Sequence, residues 1–345
     1  MTFRARTAIP NAECGERRAA GTGGARMVAG MLVALHADDL GFSAAITEGI
    51  CDTVRRGLLT GASVLANAPA SGAALAAWRG LEDDRRAAAL PSSPARGRLG
   101  DPRRPFDLGV HLNLSQGKPL TGAAFPAALL DPEGNFRGLT TFLRLMLPGA
   151  GRHAEAVRRE LAAQIGFVCD HGMRPVRLDG HQYCELTPRV GRIVADLAPH
   201  FGVQAVRVAH EPAASGTLLR NRGLGGVAGI PAGLAKRALA ASWRQRARRA
   251  GLRHADRFFG TVTAGRVGVR DLDRFLRLGL GRRASIVEIG LHPGWAAAAA
   301  GETCEVAAAW RDPLAAQRPA EHCWLVDEAL PGRLLSRGVG LGRIG

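Results

Sequence analysis

Three short stretches of the chain share a period of two. Leu108, Val110, Leu112 and Leu114 alternate with Gly109, His111 and Asn113. Val287, Ile289 and Leu291 alternate with Glu288, Gly290 and His292, and Val176–His181 repeats the theme with Asp179 and His181 on one face. Successive side chains of a strand point to opposite faces, so each stretch reads as a strand with one apolar and one polar face. Each polar face carries a histidine towards the strand's C-terminal end. Apolar faces jacketed by helices and polar faces turned inward are the arrangement of a βα barrel with a site at its mouth.

The rest of the chain is consistent with that arrangement. Met27–His36 and Leu58–Asn67 read as strands, and Val203–Ala209 as strand-like. Ser43 can cap a helix whose Ile46, Ile50 and Val54 recur every four residues, and an Ala-rich helix runs to about Arg79. Strands alternating with helices predict an α/β fold, a single irregular (β/α) barrel over residues 27–345. Residues 80–105, with Pro91, Pro94, Pro102 and Pro105, read as a loop insertion, and 232–257 as a basic helical insertion. Residues 1–26 are polar, Gly-rich and aperiodic, which predicts a disordered basic extension, with Met27 or Met31 as alternative starts. Arg-rich residues ahead of Met27–Leu35 imitate a signal peptide, but the two aspartates that follow favour a buried strand.

Charge narrows the function less than its size suggests. Lys+Arg 46 against Asp+Glu 30 leaves +16, yet Lys118 and Lys236 are the only lysines. Aromatic residues are 5% of the chain, few for stacking on bases, and no nucleic-acid-binding motif is present. No specific nucleic-acid partner is expected. Six scattered cysteines without a Cys-x-x-Cys pair predict reduced thiols in the cytoplasm.

The chemistry-bearing residues begin with Asp38 and Asp39, directly after the first strand. Two adjacent carboxylates raise each other's pKa unless a cation relieves them. One of them can ligate a metal while the other stays free as a base. Asp-Asp that merely caps a helix is equally compatible with this dipeptide alone. A lone histidine is more often a satisfied interior residue than a ligand, but His111, His181 and His292 share one placement on distant strands. A carboxylate and two imidazoles make a three-ligand site for a divalent ion with room for water, suited to metal-assisted hydrolysis. Arg207, opposite Val206 and Val208, reads equally as a partner that keeps Asp38 ionised and as one more surface arginine, and Asp179 as an orienter of a ligating imidazole or as an ordinary strand-end turn residue.

The motifs Ala37-Asp38-Asp39-Leu40-Gly41, Gly109-Val110-His111-Leu112-Asn113-Leu114, Leu178-Asp179-Gly180-His181-Gln182 and His292-Pro293-Gly294 occur in that order. Together with Gly117-Lys118-Pro119-Leu120 and Asp256-Arg257-Phe258-Phe259-Gly260, this resembles the YdjC-like carbohydrate deacetylases from about residue 27 to near the end. The resemblance implies a metal-dependent hydrolase that removes an N-acetyl group from an amino sugar. It implies one divalent ion, Zn²⁺ or Mg²⁺, on Asp39, His111 and His181, with Asp38 as general base and His292 as general acid. Asn113 is expected to bind or orient substrate.

The family pattern continues with histidines where this chain has Tyr183 and Glu185. A phenol and a carboxylate there suggest a substrate pocket suited to a different acceptor, one with an extra cationic amine. The alternative function is a barrel that binds sugar or lipid without catalysis. The expected partner is a small carbohydrate or glycolipid. The Arg-rich segment around Lys236 reads first as a solvated helix and second as a peripheral membrane contact. Homo-oligomerisation is left open by the sequence.

Overall fold

The computed structural model describes residues 31–56, 59–87, 106–146, 153–212, 229–261, 263–280, 284–296 and 310–345. The strands are β1 (Met31–Leu40), β2 (Gly61–Val64), β3 (Asp107–Leu112), β4 (Arg177–Gly180), β5 (Ala205–Val206), β6 (Arg257–Phe259), β7 (Ile286–Leu291) and β8 (Val339–Leu341). All described pairings between them are parallel, in the order β5-β4-β3-β2-β1-β7-β6. β8 pairs with Met31–Val33, below the stretch of β1 that pairs with β2.

The sheet curls into a half-barrel and does not close as a full barrel. At the open edge the described residues hold one isolated bridge, from Ala205 of β5 to Arg253 ahead of β6, in place of a ladder between β5 and β6. The expected barrel is thus corrected to an open, barrel-like sheet. The reason is local: β5 is two residues long and β6 three, too short to build a continuous seam.

The helices that cover the outside are α1 (Ala44–Arg56), α2 (Ser71–Ala87), α3 (Leu139–Met146), α4 (Ala154–Asp170), α5 (Pro188–His200), α6 (Gly229–Arg249), α7 (Val269–Leu280), α8 (Arg318–Leu325) and α9 (Leu330–Leu335). Ser43 Oγ accepts the amide of Ile46 at 3.2 Å, which caps α1 as its sequence predicts. Ile46, Ile50 and Val54 then face the sheet. In α4, Val157, Leu161, Ile165 and Val168 form the equivalent stripe. These apolar faces meet Val33, Leu35, Val110, Leu112, Val287 and Ile289 from the outside of the sheet in one core.

Two segments differ in their bounds from the sequence reading. Residues 80–87 continue α2, while 88–105 and the extension 1–26 lie outside the described residues. The basic segment is helical over Gly229–Arg249 only, because Gly251 (φ 71°) turns the chain towards β6. On α6, Ala240, Trp243 and Ala247 are buried at helical spacing, so this helix spends its apolar residues on α5 and the turn that follows β4. No helix among the described residues is long and apolar enough to cross a membrane.

Candidate active site

The inward face of the sheet is polar from mid-height upward. Alternation puts His36 and Asp38 of β1, Ser63 of β2, His111 of β3, Arg177 and Asp179 of β4, Arg207 after β5 and Glu288 of β7 on that side, all buried. Space for them comes from small residues: a Cβ on Gly109 would run into Ser63 Oγ and the Arg177 side chain.

Asp38 and Asp39 converge because the strand breaks its own alternation. The β1–β2 register shifts between Ala37 and Leu40, a bulge, and Asp39 has φ 67°. A left-handed non-glycine residue costs on the order of 1 kcal/mol and re-aims the side chain. Both carboxylates are consequently buried at the C-terminal end of β1 instead of pointing to opposite faces.

Arg207 grips Asp38 with two parallel bonds, Nη1 to Oδ2 at 2.6 Å and Nη2 to Oδ1 at 2.7 Å. Burial alone would raise the Asp38 carboxyl, but the guanidinium overrides it and holds the group at about 2. Arg207 Nε and Arg177 Nη2 share Glu288 Oε1, at 2.8 and 2.6 Å. His111 Nδ1 lies 2.6 Å from Asp179 Oδ1, a contact that keeps a proton on Nδ1 in either charge state and directs Nε2, the nitrogen that gives up its proton on metal binding, towards Asp39. Asp179 Oδ2 accepts from Ser63 Oγ, whose oxygen lies 2.8 Å from His36 Nε2.

Asp39 Oδ1 is buried and accepts no hydrogen bond. It lies 3.3 Å from His181 Nδ1 and 3.7 Å from His111 Nε2. Donor atoms of these three residues all fall within 4.8 Å of one another. A carboxylate oxygen left bare between two imidazole nitrogens is a mixed O/N donor set that suits a divalent cation. Burial opposes a charged imidazolium at His111, yet the carboxylates of Asp38, Asp179 and Asp39 outweigh it and raise the ring to about 9. The pocket is a trap for positive charge. His36, Asp38 and Asp179 form a second close group. There Arg177 and Arg207 already supply the cations, at 3.3 and 3.7 Å from Asp179 Oδ2.

His292 closes the other side, its Nε2 3.8 Å from Asp38 Oδ2. Its backbone amide donates to Glu321 Oε2 at 2.5 Å, which pins the turn after β7. Burial lowers the His292 pKa, so its ring is neutral and able to take up a proton. A cleft of about 210 Å³ opens over Asp38, Asp39, His111, His181 and His292, with Phe42 and Tyr183 in its walls.

Residues 32–335 of the chain match the family described as YdjC-like protein. The chain belongs to that family. A human relative named carbohydrate deacetylase is 29% identical over 279 residues, 77% of this chain and 75% of that protein. A mouse protein of the same name is 30% identical over 239 residues, 67% and 66% of the two chains. One from Halalkalibacterium halodurans is 28% identical over 171 residues, 50% of this chain and 61% of that protein. The fold is similar to a solved Enterococcus faecalis V583 structure, provisionally described as a cellobiose-phosphate cleavage protein. That likeness has a TM-score of 0.64 at 17% identity and covers 91% of this chain and 97% of the other.

Not every residue singled out in this YdjC-like sequence reaches the cleft. Asn113 does not line it. Its amide donates to Asn67 Oδ1 and to the Gln116 carbonyl, and its Oδ1 accepts the Ser115 and Gln116 amides, so it staples the loop after β3. Glu185 is also turned away. It is buried against Gly180, neither carboxylate oxygen has a hydrogen bond, and burial pushes its pKa up to about 8. Tyr183 does face the cleft, but the cation beside its ring is the chain's own Lys236, 3.7 Å from the centroid.

Four participants were missed from the sequence. Arg177 and Glu288 complete the buried ion network; Glu288 at least shares the inward alternation with His292. Arg318 and Glu321 come from α8, a helix with no period-two signal and no recognisable motif, and only the tertiary fold brings them under Asp39 and His292.

Proposed function

We propose that this protein is a metal-dependent carbohydrate deacetylase that hydrolyses the N-acetyl group of an amino sugar, with Asp39, His111 and His181 holding one divalent ion, Zn²⁺ or Mg²⁺. The observation that carries the reading is the bare, buried Asp39 Oδ1 between two imidazoles, with Asp38 and His292 beside it. The names of the relatives at 28–30% identity support the same chemistry. When bound, a divalent ion lowers the pKa of a water and polarises an acyl oxygen.

The residues divide the proton work. Asp38 stays ionised because Arg207 holds both of its oxygens, and it orients the attacking water and accepts its proton. With its carboxylate so strongly favoured, Asp38 keeps that proton only briefly. His292, 3.8 Å away and neutral, is the next base in reach. As imidazolium it donates to the departing amine, which leaves poorly as an anion. Asp179 fixes the His111 tautomer throughout.

The scattered thiols of Cys51, Cys169 and Cys184 support a cytoplasmic site of action. The test is release of acetate from N-acetylglucosaminyl compounds with added Zn²⁺ or Mg²⁺. Asp38→Ala, His111→Ala and His181→Ala should each abolish it, and unchanged turnover in all three would refute the assignment. A protein that binds such sugars yet binds no metal and releases no acetate would favour a non-catalytic binder.

A further inference from the structure

Arg318 occupies an unfavourable place for a cation. It is the first residue of α8, where the helix dipole repels positive charge, and it is 2% exposed. Two carboxylates offset that cost. Asp312 accepts Nε at 2.7 Å and Nη2 at 3.1 Å, and Asp39 Oδ2 accepts Nη2 at 2.7 Å. Phe42 flanks the guanidinium at 5.8 Å, and the small Gly294 of His292-Pro293-Gly294 leaves room for its methylenes. The group is anchored on several sides, and that anchoring holds its Nη2 against one oxygen of Asp39.

The geometry points to Arg318 as a positioning residue that makes Asp39 a one-oxygen ligand. It holds Oδ2, so only Oδ1 is turned towards His111 and His181. This rests on the proposed metal site. A carboxylate free to chelate through both oxygens would fill a coordination position that water or substrate needs. Most outer partners strengthen metal binding, and their loss costs roughly 10–100-fold in affinity or activity. Arg318 has the opposite sign, because a guanidinium on the same carboxylate competes with the ion for its charge.

The experiment compares the full-length wild type with Arg318→Met, Arg318→Lys and Asp312→Asn. Metal-stripped protein is titrated with Zn²⁺ against a chromophoric chelator and with Co²⁺ by visible absorption, alongside acetate release. For Arg318→Met we expect Zn²⁺ affinity to rise roughly tenfold while kcat falls, and the Co²⁺ bands to weaken as coordination number increases. Arg318→Lys should stay near the wild type. Asp312→Asn loosens the guanidinium without touching Asp39 and should move both quantities the same way by less, which decides the matter if Arg318→Met does not fold. Affinity that falls together with kcat, or an unchanged Co²⁺ spectrum, would overturn the inference and leave the metal site standing. A wild type that binds neither ion would overturn the metal site itself.

Discussion

The floor and the upper half of the half-barrel are built on the same strands and differ completely in chemistry. On β1, β5 and β7 the inward face begins with Ala34, Ala205 and Ile286, which with Ala255 and Ile344 form a small apolar cluster apart from the main core. Two residues further along the same face come His36, Arg207 and Glu288, all buried. Alternation is preserved across that step, but close packing gives way to a network of ions. Buried ion pairs are weak stabilisers, since desolvation offsets most of their attraction. The floor therefore holds the sheet together, while the layer above it trades stability for carboxylates and imidazoles at fixed positions.

Substitutions at successive heights should separate these roles. At the top, Asp38→Asn should lower acetate release by about 10²–10⁴-fold with an unchanged circular dichroism spectrum; a loss under tenfold would remove Asp38 from the chemistry. In the middle, Glu288→Ala leaves Arg177 and Arg207 without their shared carboxylate and should cost about 3–5 kcal/mol in urea unfolding. Wild-type stability there would mean the charged layer is not an integral network. At the floor, Ile344→Ala should cost about 2 kcal/mol and leave turnover per folded molecule intact. A selective loss of activity would erase the distinction between the two levels.

The smallest effect concerns pH. Glu185 has an ordinary carboxyl pKa near 4.5 when unfolded and about 8 when folded. Folding then takes up a proton between those values, so this group lowers stability progressively as pH rises from 4.5 to 8. Glu185→Gln lacks the decline. Its thermal midpoint should match the wild type near pH 4.5 and exceed it near pH 8, and a difference independent of pH would show that Glu185 is ionised in the folded protein.

Much of this site is legible in one dimension because strands are periodic. Once His111, Asp179 and Glu288 are placed on strands, a period of two already puts them inside; His181 comes one residue past the end of β4, at the start of a 3-10 turn, and Ser43 marks the start of α1 by its capping chemistry. Asn113 and Glu185 mislead for the same reason. Each continues an inward or motif-like spacing past the end of its strand, where loop geometry replaces the pleat. After β4 the chain turns through positive φ at Gln182 and Tyr183, so Glu185 folds back under Gly180 instead of extending into the cleft.

Local order along the chain was thus enough to specify the strand-helix alternation, the polar interior and a pool of carboxylates and histidines, from which the family resemblance singled out Asp39, His111 and His181. Whether those ligands would meet depended on a bulge that reverses one residue of β1, and on a sheet whose short outer strands leave it open. The clamp on Asp39 depended on still more distant chain, because Arg318 lies 279 residues away. Periodicity is a property of neighbours in sequence, whereas a coordinating group is made by neighbours in space.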